Sequence, residues 1–121
     1  MTKIMVVDDD PDIVYIIRSR LIREGYEVVE ASSGEEAIEK VKEVLPNIVL
    51  LDVMMPGMDG WETCRRIKSI APIPVIIISV RSLPEDIKKS LEYARADSHI
   101  PKPIDFKLLI SEIRTHINLK F

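Results

Sequence analysis

At 121 residues the chain has room for one ordinary domain and too little for a second with a core of its own. Its composition, 46% apolar and 31% charged, suits a packed interior under a solvated surface and not a disordered chain. The net charge of −3 offers no basic footprint, so direct nucleic-acid binding, which relies on clustered Lys and Arg, is not expected.

Ile4-Met5-Val6-Val7 is a continuous apolar run rich in β-branched residues, the kind of strand that a parallel sheet buries on both faces. It stops at Asp8-Asp9-Asp10. Pro11 then fits the first position of a helix with Asp10 as N-cap, and Ile13, Ile16, Ile17 and Leu21 form its apolar stripe up to the stop at Gly25. A second strand, Glu27–Ala31, precedes Ser33-Gly34-Glu35-Glu36, a capping box that opens a helix running to about Leu45, before Pro46. The cycle repeats with strand Ile48–Leu51, loop Met54–Gly60, helix Trp61–Ser69, strand Val75–Ser79, helix Pro84–Ala94, a short strand over Ser98–Pro101 and helix Phe106–Leu119.

Such alternation predicts an α/β fold with a parallel sheet, because each helix must carry the chain back to the same edge. All strand C-termini then share one edge, where open α/β sheets bind their ligands. No repeat, low-complexity tract or linker interrupts the pattern, so residues 1–121 read as a single domain with no output domain. Cys64 is the only cysteine, which excludes an internal disulfide and a thiolate metal site. The runs Ile48–Leu51 and Val75–Ile78 are too short to cross a bilayer, and Met1-Thr2-Lys3 leads directly into the first strand. A soluble, cytoplasmic protein with no membrane partner is expected.

Asp8 and Asp9 end the first strand, Asp52 the third, Ser79 the fourth and Lys102 the fifth. Carboxylates brought that close repel one another unless protons or cations neutralise them. Lys102 supplies one positive charge. A hard divalent ion suits the remainder, since Mg²⁺ takes about six oxygen ligands and typically uses one or two carboxylates with water and a phosphate oxygen. Asp9 and Asp52 fit that role. Asp10 reads instead as a helix cap, because Pro11 follows it. Cys64 and Trp61 read as packing residues, and His99 and His116 are too far apart in the pattern to form a metal pair.

Val7-Asp8-Asp9, the stretch Leu51-Asp52-Val53-Met54-Met55-Pro56-Gly57-Met58-Asp59-Gly60, Ser79, and Lys102-Pro103 closely resemble the CheY-like receiver domain of two-component response regulators. The resemblance covers essentially the whole chain in order and spacing. It implies a doubly wound (βα)5 flavodoxin-like fold, its five-stranded parallel sheet in the order 2-1-3-4-5 with helices on both faces. It implies that Asp52 is the phosphoacceptor, charged by a phosphohistidine on a sensor histidine kinase or phosphotransfer protein. Mg²⁺, with Mn²⁺ able to substitute, would be held by Asp9, Asp52 and the backbone carbonyl of Met54, with Asp8 joining through water. Lys102 would neutralise phosphoryl oxygens from a cis Lys102-Pro103 bond, and Ser79 would bond another of those oxygens. The switch would run through Ser79 and His99 to a downstream effector docked on the fourth helix, fifth strand and fifth helix. On this reading the protein is not an enzyme beyond its own phosphorylation and dephosphorylation. It would act as a monomer or a phosphorylation-dependent dimer.

Three positions depart from the family pattern. His99 stands where Tyr or Phe is usual, and an imidazole there would make the switch pH-sensitive; a partly exposed strand histidine is the plainer reading. Val80 stands where a small residue is common, and its bulk should hinder attacking water. Arg95 replaces a Gly at the end of the fourth helix, where a left-handed residue costs Arg roughly 1 kcal/mol and predicts a rebuilt or loose helix end. Leu108, Glu112 and Leu119 occupy positions where charged residues pair receivers of winged-helix transcription factors, which argues against that dimer.

Two rival functions share some of these residues. A haloacid-dehalogenase-like phosphatase also uses aspartates, a hydroxyl, a Lys and Mg²⁺, but its nucleophile lies on the first strand beneath a cap, whereas Asp52 lies on the third. A phosphorylation-independent pseudo-receiver usually lacks an acid or the lysine, and this chain has them all.

Overall fold

The computed structural model describes residues 1–118. Its five strands, β1 (Lys3–Val7), β2 (Glu27–Ala31), β3 (Ile48–Leu51), β4 (Val75–Ser79) and β5 (Ser98–Pro101), form one sheet in the order β2-β1-β3-β4-β5. Every neighbouring pair is parallel. Helices α1 (Pro11–Arg23), α2 (Gly34–Val44), α3 (Gly60–Ile70), α4 (Pro84–Lys88) and α5 (Phe106–Asn118) make the crossovers, and α4 continues into a π-helical turn over Lys89–Tyr93. The expected doubly wound architecture and strand order are those observed.

Period-two alternation along the central strands sorts their side chains between two cores. Met5, Val7, Val49, Leu51, Val75 and Ile77 pack with Ala37 and Val41 of α2 and Cys64 and Ile67 of α3. Ile4, Val6, Ile48, Leu50, Ile76 and Ile78 pack on the opposite face with Val14, Ile17 and Leu21 of α1 and Leu109 and Ile113 of α5. Burial of each such side chain stabilises the fold by roughly 1.5–3 kcal/mol.

The helix starts follow the local chemistry. Asp10 caps α1 by accepting from the Asp12 N–H, with Pro11 behind it. Ser33 Oγ accepts from Glu36 N–H at 3.1 Å, while the Glu36 carboxylate returns to the Ser32 N–H at 2.7 Å. The return bond of the capping box therefore lands one residue earlier than expected.

The fourth helix ends in a rebuilt form, as Arg95 predicts. Instead of an α-helix to Ala94, the chain widens into the π turn, and Arg95 takes the left-handed conformation with φ 62°. The family's usual glycine position is kept as a backbone shape without the glycine. Leu45, the C-cap of α2, is also left-handed, with φ 49°. The expected end of the last helix at Leu119 lies outside the described residues.

Candidate functional site

Register sets the site. Val7 pairs with Leu51 and Leu51 with Ile77, so β1, β3 and β4 end almost level. Asp52 N–H still donates to the Val7 carbonyl at 2.9 Å and Asp8 N–H to the Ala31 carbonyl at 3.2 Å, which carries the ladder to the first acidic residues. Lys102 N–H donates to the Ser79 carbonyl at 2.9 Å and extends β5 in the same way.

Asp8, Asp9 and Asp52 each offer a carboxylate oxygen, and these oxygens lie within 4.8 Å of one another. Asp8 and Asp52 are buried and Asp9 is exposed, so the cluster has a protein floor and an open side. From a cis Lys102-Pro103 peptide, Lys102 Nζ lies 2.9 Å from Asp8 Oδ2 and 3.3 Å from Asp52 Oδ1. Asp8 Oδ1 also accepts from the Asp10 N–H at 2.9 Å, which orients that carboxylate.

One ammonium does not balance this cluster. Burial, and then the charge of Asp8, raise the Asp52 pKa above the ordinary carboxylate value despite the opposing pull of Lys102. Burial disfavours the charged Lys102, yet its hydrogen bond to Asp8 and the charges of Asp52 and Asp8 win, and its pKa is raised. Crowded oxygens, residual negative charge and one open side suit a hard divalent cation held by few carboxylates and several waters. Met54, on the loop directly after Asp52, lines a hollow of about 410 Å³ together with Asp9 and Arg81.

That loop is tied down at both ends. Asp59 caps α3 by accepting from the Glu62 N–H at 2.9 Å. The Gly60 N–H donates to the Val53 carbonyl at 2.8 Å. A Cβ at Gly60 would lie 2.1 Å from the Asp52 carbonyl oxygen and 2.7 Å from Val53 Cα, so only glycine allows α3 to start against the end of β3. Turn chemistry does account for Gly57, whose φ is 77°.

Ser79 is fully buried at the end of β4, and its Oγ accepts from the Arg81 N–H at 3.0 Å. His99 is half-buried on β5, away from the carboxylates but tied to Ser79 through Ser82. Its Nε2 lies 2.8 Å from Ser82 Oγ and its Nδ1 2.8 Å from Ser90 Oγ. Burial lowers the His99 pKa, against the nearby charge of Asp86.

The structure thus brings Asp8, Asp9, Asp52 and Lys102 into one cluster, sets Ser79 on the adjoining strand end and puts Met54 on the rim. Val80 is exposed beside Ser79. Cys64 is a packing residue, its thiol pushed up to about 12 by burial. Trp61 is buried as expected, but its Nε1–H also donates to Ser90 Oγ at 2.9 Å. Arg81 and Lys89 lie over the indole at 5.2 Å and 4.3 Å from the ring centroid. Sequence reasoning missed Ser82, Ser90 and the close approach at Gly60. Asp59-Gly60 reads from the sequence as loop and turn chemistry, whereas the structure uses Asp59 as the cap of α3 and Gly60 as its first residue. Among the described residues no helix is long and apolar enough to cross a membrane.

Comparison with known proteins agrees with the geometry. The family model of the response regulator receiver domain matches residues 4–114. The transcriptional regulatory protein AfsQ1 of Streptomyces coelicolor is 35% identical over 114 residues, which are 94% of this chain and 50% of that protein. The chain therefore spans about half the length of this curated relative. The BeF3-activated N-terminal receiver domain of Klebsiella pneumoniae RstA is 30% identical with a TM-score of 0.91, covering 96% of this chain and 98% of that one. The response regulator TrrA of Thermotoga maritima, solved in complex with Mg²⁺-BeF, is 32% identical with a TM-score of 0.87, covering 96% and 99%. Matched along nearly its whole length and carrying the acidic cluster at its sheet edge, this chain belongs to the response regulator receiver domain family, the phosphoacceptor domains of two-component signalling.

Proposed function

We propose that Asp52 accepts a phosphoryl group from a phosphohistidine on a sensor histidine kinase or phosphotransfer protein, in a Mg²⁺-dependent reaction. The observation that carries this reading is the convergence of Asp8, Asp9, Asp52 and Lys102 at level strand ends. A carboxylate oxygen of Asp52 attacks phosphorus, the P–N bond breaks toward the imidazole, that ring leaves after taking a proton, and Asp52 carries an acyl phosphate. Alignment and charge neutralisation supply most of the catalysis in such a transfer. Lys102 Nζ, already within reach of Asp52, turns to a phosphoryl oxygen, and Ser79 Oγ donates to another. Asp9, Asp52 and the Met54 carbonyl, with Asp8 through water, would hold Mg²⁺ or Mn²⁺, which would supply positive charge against the phosphoryl oxygens. The Mg²⁺-BeF complex of TrrA supports this assignment.

The whole sequence serves as a single receiver unit in the cytoplasm, where ATP-dependent kinases make the phosphohistidine. It catalyses only its own phosphorylation and dephosphorylation. The signal leaves through α4, β5 and α5, because that face adjoins both Ser79 and His99. Leu91 on the π turn and Leu108 on α5 supply exposed apolar contacts for an effector.

Incubation with Mg²⁺ and acetyl phosphate, followed by intact mass, tests the reading. One added phosphoryl group, absent in Asp52→Ala and absent in EDTA, is expected. No mass gain would favour a phosphorylation-independent interaction module, and steady turnover of a phosphate ester would favour a phosphatase.

A further inference from the structure

The hydrogen bonds around His99 have a direction. Ser82 Oγ–H donates to the Ser79 carbonyl at 2.9 Å, so at its 2.8 Å contact with His99 the same oxygen must accept, and Nε2 carries the proton. On the other side, Ser90 Oγ accepts the indole N–H of Trp61 at 2.9 Å, which leaves its own O–H to point at an unprotonated Nδ1 2.8 Å away. A single line of donors therefore runs from Trp61 through Ser90, His99 and Ser82 to the Ser79 carbonyl. The neutral Nε2–H tautomer satisfies every member of it.

The line joins parts of the fold that are otherwise separate. Ser82 belongs to the loop after Ser79, Ser90 to the π turn of α4, Trp61 to the start of α3 and His99 to β5. Ser90 and Ser79 are fully buried, so water does not replace a lost partner there at no cost. A proton added to Nδ1 would make both ring nitrogens donors. Ser90 Oγ would then have to accept from His99 and Trp61 together through its two lone pairs, and its own buried O–H would lose the Nδ1 acceptor, which weakens the line at Ser90.

The charges around the ring do not rescue the protonated form. Asp86 at the start of α4 and a hydrogen bond with the Arg81 backbone favour it, but the carboxylate is already engaged by the Arg81 guanidinium at 3.2 Å and by the Leu83 N–H at 3.1 Å. Lys89 on the π turn sits over Trp61. On the α5 side, Glu112 is held by Ser98, the residue before His99, and also faces His116 at 3.9 Å. Further along β5, Lys102 is shared between Asp8 and Asp52. Burial prevails over these charges, which keeps the ring neutral at physiological pH.

We propose that His99 is a pH-gated latch: its neutral Nε2–H form fastens the loop after Ser79 to the π turn of α4 and to Trp61, and acidification unfastens it. The latch deepens the switch reading above by adding proton control to the element that reports Ser79, and its role in signalling rests on that reading. It operates in the unphosphorylated protein, so its failure is distinguishable from failure of Asp52 as acceptor.

Trp61 is the only tryptophan in the chain and reports the latch directly. In the whole, unphosphorylated protein, indole fluorescence is expected to show one reversible step as pH falls, with a midpoint below the ordinary imidazole value of about 6.5. The step should follow the His99 ring resonance in NMR, and ¹⁵N shifts at neutral pH should report protonated Nε2 and bare Nδ1. His99→Phe should lose the step, as should Ser90→Ala, in which the ring still titrates but is no longer joined to Trp61 by a hydroxyl. His116→Gln should keep it. Circular dichroism confirms that each variant is folded, and if His99→Phe is not, Ser90→Ala decides alone. A step retained in Ser90→Ala, a protonated Nδ1 at neutral pH, or no step down to about pH 5 overturns the proposal.

Discussion

Asp52 sits in a position that disfavours its own charge. Burial and Asp8 outweigh Lys102, so its carboxyl binds a proton more tightly in the folded chain than in the unfolded one. By linkage, the ionised side chain subtracts stability above that raised pKa, and the loss is relieved as pH falls through it. Asp52→Asn, which removes the charge and keeps the shape, is therefore expected to stabilise the metal-free protein at neutral pH. The gain should be on the order of 1 kcal/mol, the scale for one poorly compensated buried polar group. It should fade as the wild type is acidified. Thermal unfolding in EDTA across pH checks this, and a variant less stable than wild type at neutral pH contradicts it. The same burial acts on Cys64 without consequence at neutral pH, since a thiol pushed up to about 12 stays protonated and inert.

At the scale of an element, α4 shows how backbone shape persists when its usual residue is absent. A left-handed residue ends the helix, and Arg95 adopts that conformation although its Cβ meets the following carbonyl there. The π turn just before it carries Ser90, which meets both Trp61 and His99. Arg95→Gly should relieve the Cβ clash and raise stability by about 1 kcal/mol. The expected result is a higher urea midpoint with an unchanged m-value; a lower midpoint would mean that the arginine side chain contributes more than its backbone strain costs. The start of α3 follows the opposite rule, because at Gly60 there is no room for a Cβ beside the Asp52 and Val53 backbone.

At the scale of the whole molecule, the carboxylate cluster exists only because the sheet is assembled. Asp9 and Asp52 belong to the ends of different strands and meet through the parallel register of β1 and β3. A cation that needs both binds the folded chain and not the unfolded one, so it must stabilise the fold by mass action. Saturating Mg²⁺ should raise the melting temperature of the wild type, by about 2.7 kcal/mol of added stability at a hundredfold excess over Kd. EDTA should reverse the shift, and Asp9→Ala should greatly reduce it. An equal shift in that variant would place the cation elsewhere.

Much of this is written in the sequence. Apolar periodicity, the Asp10-Pro11 cap and the Ser33 cap are local properties, and parallel connectivity forces all strand ends to one edge, so Asp8, Asp9, Asp52, Ser79 and Lys102 could be placed together from their positions alone. The residues around His99 could not. Ser82 and Ser90 carry no periodic or spacing signal, and the indole N–H of Trp61 finds its partner 29 positions away, on a π turn that the helical pattern does not mark. The chain's architecture and its acidic centre follow from local pattern and connectivity, which the amino-acid order carries in full. Which hydroxyls hold His99, and in which tautomer, depends on the folded chain, because hydrogen-bond direction follows from distances between residues that meet only on folding.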